Sequence, residues 1–475
     1  MTTIAAGPLS ATDIALNPVS AFEHSDESIR SLEAVLDGRV LLPIDAEYDD
    51  NRRIRNTGID RRPAIIVQAA SAMDVAHAVL FARDYDLRIA VRSGGHSFSG
   101  YSVIDGGIVI DLRNLNSVEI DPVKKVAKVG PGATSAMLGA AAQVHGLALS
   151  TGDVSSVGIG GLTLGGGIGW MVRQQGLTID NLISVQLVTA DAEVIHASVY
   201  ENADLFWALR GGGGNFGIVT QFEFRMHEVG TVLTGAIALP LTADVLRGYA
   251  AWANSAPDAM TTIAYILPAP PAPFVPANLV GELVVLVMPC YTGDPADGQA
   301  LLDGLRSVAT PMFELIAPMP YPAIYDFTAD GTVPTREASR SMFLDALPDE
   351  VLDAIVESMA GASPASMIQL RVLGGQMARV PVDETAFAHR TQPYILTIVR
   401  GWQDGDDAAE AAWVDASFAR VRSYGRGVYS NFTVNEAHRI NDAYPEATYR
   451  RLAEVKRVYD PTNVFAMNLN IAPER

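Results

Sequence analysis

A chain of 475 residues with 49% hydrophobic content is too long for one ordinary core, so two domains, or one interrupted by another, are expected. The formal charge of −20 excludes nucleic acid and anionic membrane surfaces as partners, because no basic field exists to recruit them. The single cysteine, Cys290, ends the apolar run Leu283 to Pro289; it excludes an intrachain disulfide and multi-cysteine metal sites, and reads as a buried thiol.

The first forty residues lack the cationic start and apolar stretch of a secretory signal, and no run approaches the ~20 apolar residues that cross a bilayer. A soluble, cytoplasmic protein is expected.

Residues 1 to about 45 are acidic and weakly patterned, with a helical stretch near Asp26 to Leu36. Asn51 to Arg62 carries five arginines and reads as a loop. Ala64 to Gln68 is a short buried strand, Ser71 and Asp74 form a capping box opening a helix to about Tyr85, and Arg88 to Arg92 is the next strand. That strand delivers Arg92-Ser-Gly-Gly-His-Ser-Phe-Ser-Gly100, whose glycines let amide groups approach a ligand beside one imidazole, His96. Gly107 to Leu112 and Val126 to Val129 are β-rich, and Thr134 caps an alanine-rich helix that Gly146 ends.

Two further glycine-dense blocks follow, at Val157 to Gly169 and Gly211 to Gly217. Between them, Ile183 to Thr189 and Glu193 to Ala197 make a hairpin around Asp191, and Glu201 to Arg210 is a short helix. A strand from Ile218 to Met226 ends this region. Near residue 230 the texture changes to longer elements. Strands are expected at Gly235–Leu239, Thr261–Ile266, Glu282–Met288, Met367–Leu373 and Tyr394–Arg400, and helices near Asp244–Ala253, Ala296–Val308, Asp349–Met359 and Ala408–Arg422. The proline-rich loop Pro268 to Pro276 is a rim or lid candidate, or a plain connector. The resulting map is a first domain of 1–232 plus 428–475, with its core at about 60–230, and an inserted domain at 233–427.

Gly212 to Gly217 satisfies G-x-G-x-x-G, but a helix precedes it and a strand follows, the reverse of a dinucleotide fingerprint. Walker, H-E-x-x-H and G-x-S-x-G signatures are absent. Three glycine clusters that could converge point to one large flat or diphosphate-bearing ligand held by backbone amides; the bland alternative is tight turns and close strand packing.

Val91 to Tyr101, the block Val157-Gly-Ile-Gly-Gly161 with Gly165-Gly-Gly-Ile-Gly169, Asn215 to Val219, and the tail Tyr459-Asp-Pro-Thr-Asn463 with Asn468-Leu-Asn-Ile471 together resemble the berberine bridge enzyme-like FAD oxidoreductases of the vanillyl-alcohol oxidase superfamily. The resemblance implies an α+β fold: a two-part PCMH-type FAD-binding domain and an inserted substrate domain built on an antiparallel sheet backed by helices. It implies FAD linked covalently through His96. The cofactor contacts it points to are Arg92, Ser93, Gly94, Gly95, Ser97 and Phe98, then Gly152, Asp153, Val157, Gly158, Gly160, Gly161 and Gly169, then Gly217, Val219, Asn468 and Asn470. Many relatives carry a second tether from a cysteine three residues before the Val-Gly of the second block; Val154 stands there, so linkage through His96 only is expected. Leu162 replaces a histidine that often follows Gly161.

The implied activity is hydride transfer from a small, natural-product-like alcohol or amine to the flavin, with O₂ as acceptor and H₂O₂ as product. A dehydrogenase with another acceptor, a carbohydrate oxidase and a non-catalytic flavoprotein are the rival readings. In several relatives the base is the tyrosine of an Asn-Tyr pair, but this chain reads Asn431-Phe432. Tyr429, two strand steps from Asn431, is the substitute catalytic candidate together with Asn431, or else a structural tyrosine. Gln369 and Arg371, on one face of a predicted strand, and Gln376 are candidate substrate contacts; an exposed polar face is the alternative.

Overall fold

The computed structural model describes residues 26–434 and 436–473. Its first layer is a four-stranded sheet in the order Arg39–Leu41, Ile65–Gln68, Ile108–Asp111, Ile89–Arg92. Ile65–Gln68 and Ile89–Arg92 both run parallel to Ile108–Asp111, and helix Ala72–Asp84 connects them. Parallel strands are covered on both faces, which is why these are unbroken apolar runs. The Ser71 hydroxyl accepts the Asp74 N–H, so the predicted cap starts that helix. Arg39–Leu41, three residues long, is too short to show a period and falls in the stretch read as weakly patterned.

The second layer is a five-stranded antiparallel sheet, ordered Val118–Asp121, Val126–Val129, Ile218–Arg225, Leu182–Val188, Val194–Ser198. Its inner face buries Phe222, Phe224 and Leu187 with Trp207 and with Leu452 of the C-terminal helix Glu446–Tyr459. The tail therefore packs on the first half of the chain.

The third layer is an eight-stranded antiparallel sheet, ordered Phe313–Pro320, Thr231–Pro240, Leu283–Tyr291, Met260–Pro268, Ser366–Val372, Tyr394–Trp402, Arg336–Leu344, Gly425–Arg426. Helices Ala243–Ser255, Pro295–Arg306, Asp349–Met359 and Asp407–Val421 supply Leu246, Leu302, Ile355 and Val414 to its core, where they meet Ile237, Leu370 and Leu396. Phe313–Pro320 is a partly exposed edge strand broken by prolines, and Arg336–Leu344 opens with charged and small residues, so neither shows a clean alternation in sequence. The Pro268–Pro276 loop buries Ala269 and Val275 and stays clear of the cavity described next, where it is no part of the wall.

Candidate functional site

A cavity lies between the glycine-rich loops of the first two layers and the open face of the eight-stranded sheet. Along Ser366–Val372, Ile368, Leu370 and Val372 enter the helix-backed core, and the alternate residues Met367, Gln369 and Arg371 line the cavity. Thr397 and Val399 of the neighbouring strand do the same. The polar side of this strand therefore faces a cavity, not bulk solvent.

The opposite wall is backbone. Ser93 to Phe98 line it, with Gly152, Asp153, Val157, Gly158, Gly160, Gly161, Gly217, Val219 and Asn468. Two glycines are required by contact: a Cβ on Gly94 would fall 2.3 Å from the Gly158 nitrogen, and one on Gly158 2.1 Å from the Ser93 hydroxyl. The first two glycine blocks thus touch backbone to backbone. A Cβ on Gly161 would meet no protein atom within 4 Å, because that face is open.

His96 stands in this wall with Nε2 2.8 Å from the Ser156 hydroxyl. Burial, aided by the Arg55 charge and opposed by Asp153, holds its pKa down at about 4, so the imidazole is neutral at physiological pH. Two ion pairs flank the cavity. Arg371 donates to Asp153 at 2.7 Å and to Gln369 Oε1 at 2.8 Å, and Arg55 pairs with Glu337 while donating to the Gly331 carbonyl at 2.6 Å. Each joins a glycine-side loop to the sheet or its connections, and each leaves the cavity electrically balanced.

Four of the sequence-derived residues are not in the cavity wall. Arg92 is 1% exposed and holds the 50s loop by donating to the carbonyls of Asn51 and Arg52. Gly169 is needed where the Thr151 carbonyl passes, 1.5 Å from where a Cβ would sit. Gln376 begins the short helix Gln376–Arg379 and its side chain bonds Arg379 instead. Asn470 lies beyond Asn468, its Oδ1 buried. Cys290 is also absent from the wall, with its thiol pushed up to about 12 by burial.

Tyr429 and Asn431 are together, but not as strand neighbours: Ser430–Phe432 is a 3₁₀ turn. Asn431 Nδ2 donates to the Tyr429 oxygen at 2.9 Å and to the Leu162 carbonyl at 3.2 Å, and the Gly167 N–H also donates to Tyr429 at 2.9 Å. Burial nevertheless pushes the Tyr429 phenol up to about 12, so it carries its proton at neutral pH. Phe432 lines the cavity beside it, edge-on to Tyr429 and Phe98, with the Arg371 guanidinium 5.5 Å above its ring. Tyr429→Phe should therefore cost about 1–3 kcal/mol of stability, from the orphaned Gly167 N–H and Asn431 amide. Flavin reduction should keep the same pH profile and slow by less than about ten-fold. Stopped-flow reduction across pH checks this; a lost ionisation would make the phenol a base.

Arg55, Glu337, Thr397 and Ser156 were not singled out by sequence. A weak signal existed only for Arg55, in the five-arginine loop. Among the described residues no cluster of His, Cys, Asp or Glu could hold a metal, and no helix is long and apolar enough to cross a membrane.

A two-part α+β fold whose glycine-lined cavity is roofed by a helix-backed antiparallel sheet defines a PCMH-type flavoprotein. Residues 63–198 match the model of the FAD binding domain, and residues 428–472 that of berberine and berberine-like proteins. The chain is 32% identical to (R)-6-hydroxynicotine oxidase of Paenarthrobacter nicotinovorans over 92% of its own length and 97% of the relative's. It is 29% identical to glucooligosaccharide oxidase of Sarocladium strictum, over 88% and 89%. The crystal structure of 6-hydroxy-D-nicotine oxidase from Arthrobacter nicotinovorans superposes with a TM-score of 0.83 at 29% identity, covering 92% of this chain and 98% of that one. The chain belongs to the berberine bridge enzyme-like family of FAD-linked oxidoreductases.

The site fits FAD. Its wall of close-packed glycine backbone offers amides at short range, Gly161 leaves open space where a side chain would intrude, and a neutral imidazole faces the cavity.

Proposed function

We propose that this protein is an oxidase that takes a hydride from a small, uncharged amine or alcohol onto FAD covalently held through His96 alone, with O₂ as the final acceptor. The FAD part comprises 1–232 and 428–475 and the substrate part 233–427. The observation that carries this reading is a neutral imidazole in a glycine wall opposite Gln369, Arg371 and Thr397 of the sheet. Ser156 engages Nε2, so Nδ1 is the nitrogen left for a bond to carbon. With Val154 in the wall and Cys290 elsewhere, no thiol is at hand for a second tether. A structural neighbour at 26% identity and TM-score 0.83 is a glucooligosaccharide oxidase described with a 6-S-cysteinyl, 8α-N1-histidyl FAD, which supports histidyl attachment in this architecture.

Bound in the cavity, FAD supplies a two-electron acceptor. The chain must hold the substrate, keep water out and deal with its proton. The last task favours an amine. Tyr429 keeps its proton at neutral pH, Asp153 is committed to Arg371 and Glu337 to Arg55. A neutral amine expels hydride using its own nitrogen lone pair and needs no base, whereas an alcohol must surrender its O–H proton as the bond breaks. The balanced ion pairs also favour an uncharged ligand, since a charged one would have to disrupt them.

Anaerobic mixing with matched amines and alcohols tests this, followed by admission of air. The second-order rate of flavin reduction should rise with pH and level off at the amine's own pKa, tracking that value from one amine to the next. Reduction by alcohols alone, or an inflection tied to the enzyme, would defeat the amine assignment; failure to reoxidise in air would replace O₂ by another acceptor.

A further inference from the structure

We infer that Ser156 is the positioning residue of covalent flavin attachment: its hydroxyl holds Nε2 of His96, so that Nδ1 is the nucleophile and the Nε2 proton has an oxygen to leave to. This rests on attachment through His96. Ser156 does not line the cavity, so it acts on the ring from behind it.

The argument begins from tautomers. A neutral imidazole carries one N–H and one bare nitrogen, and the partner of one nitrogen decides which is which. Ser156 offers the ring an oxygen 2.8 Å from Nε2, and hydrogen bonding to the Ser156 backbone also favours a proton on the ring. With Nε2 engaged by Ser156, attack runs through Nδ1 in the tautomer that carries its proton on Nε2, and the hydroxyl can accept that proton's hydrogen bond.

Attachment breaks one C–H bond of the flavin 8α-methyl group and forms one N–C bond at Nδ1. In the net reaction the methyl hydrogen and the imidazole proton both leave, and O₂ takes them up with two electrons as H₂O₂. The imidazole proton that leaves is the one on Nε2. Once Nδ1 is alkylated, Nε2 is a bare acceptor, so its partner must change from accepting to donating. A hydroxyl does both by rotating about one bond; a carboxylate or backbone carbonyl only accepts. The same loop places Asp153 three residues earlier against Arg371, and Val154 between them against Gly331. On either side of Ser156 the carbonyls of Ser155 and Val157 accept the Ala136 and Ser135 N–H groups at 3.0 and 2.9 Å, so the segment is pinned at both ends and Ser156 has little freedom to drift from the ring.

The experiment uses the full chain, purified at intervals after induction with ample riboflavin, and measures the ratio of FAD retained to FAD released in denaturing detergent. Ser156→Ala should attach FAD at least about ten-fold more slowly, the scale of one hydrogen bond to a group that gains charge. Ser156→Thr, which keeps the hydroxyl, should restore most of the rate. In a His96→Ala background, adding Ser156→Ala should leave reversible FAD affinity unchanged, by quenching of flavin fluorescence. Equal attachment rates for Ser156→Ala and the parent chain would overturn the role, as would loss of reversible affinity in the His96→Ala background, which would make Ser156 part of the cradle. A parent chain that retains no FAD in detergent would instead fail attachment itself, and the role with it.

Discussion

His96→Ala is expected to purify with FAD that detergent strips away, giving a dark gel band under ultraviolet light where the parent chain fluoresces. Flavin reduction by substrate should slow by about ten-fold or more, each ten-fold being about 1.4 kcal/mol of barrier, because an untethered flavin is a weaker oxidant. The fold should survive, since the ring makes one side-chain hydrogen bond, to Ser156. The acid dependence has a defined sign. The ordinary value of 6.5 applies to the unfolded chain and about 4 to the folded one. As pH falls from about 6.5 to about 4, the unfolded state takes a proton that the folded, flavin-free state refuses, so stability is lost across that window and the loss is complete below it. Flavin-free His96→Ala lacks this loss, and its stability relative to the parent should improve between pH 7 and pH 4.5. Attachment to the parent chain should hold its rate through pH 6.5 and fall only near 4, where Nδ1 becomes protonated. An inflection at 6.5 would mean the imidazole is solvated and free of its neighbours.

Features set by local chemistry were legible in the sequence. Ser71 and Thr134 announce helix starts because a hydroxyl caps a backbone amide within three residues. Gln369 and Arg371 share a face because a strand alternates with period two, and the structure turns that face to the cavity. The touching glycines at 94 and 158 were visible as residues that do little except allow close approach. What sequence could not supply is the identity of distant partners. Asp153 meets Arg371 across 218 positions and Arg55 meets Glu337 across 282, and neither pairing has a local period or spacing to betray it. The Ser430–Phe432 turn was read as strand because the resemblance placed its Asn-Tyr pair on a returning strand; its shape here comes from Asn431 reaching the carbonyls of Gly161 and Leu162. Arg92 and Gly169 sit inside the motifs that identified the family yet serve the frame behind the cavity, since a motif records which residues must be present and not which of them face a ligand.

Lys456→Met should destabilise the protein by about 3–5 kcal/mol, the cost of removing one partner from a buried ion pair, and should lower the fraction of chains that take up FAD. Lys456 and Asp460 are both 0% exposed, with Nζ 2.6 Å from Asp460 Oδ2. The ammonium also donates to the carbonyls of Asn215, at 2.6 Å, and Phe465, at 3.1 Å, while the Asp460 carboxylate accepts the N–H groups of Val464 and Phe465. Burial pulls the Lys456 pKa down and the Asp460 charge opposes it. One lysine, among four in the chain, thus joins the last glycine cluster to the C-terminal signature. Asn215 extends the joint through Gly212, Leu469 and Ile471, and Asn468 donates to the Gly214 carbonyl. Gly213, Gly214, Asn215 and Asn468 all line the cavity, so loosening this knot should loosen the wall that holds the cofactor. Methionine fills the volume of the lysine stem but leaves a buried carboxylate without its cation, whereas Lys124→Met, at an exposed ion pair, should change stability by no more than about 1 kcal/mol. Denaturant midpoints and the FAD content of the two purified variants distinguish them. Equal midpoints would show that the C-terminal segment is held by its apolar contacts alone, and that the glycine wall needs no anchor from Lys456.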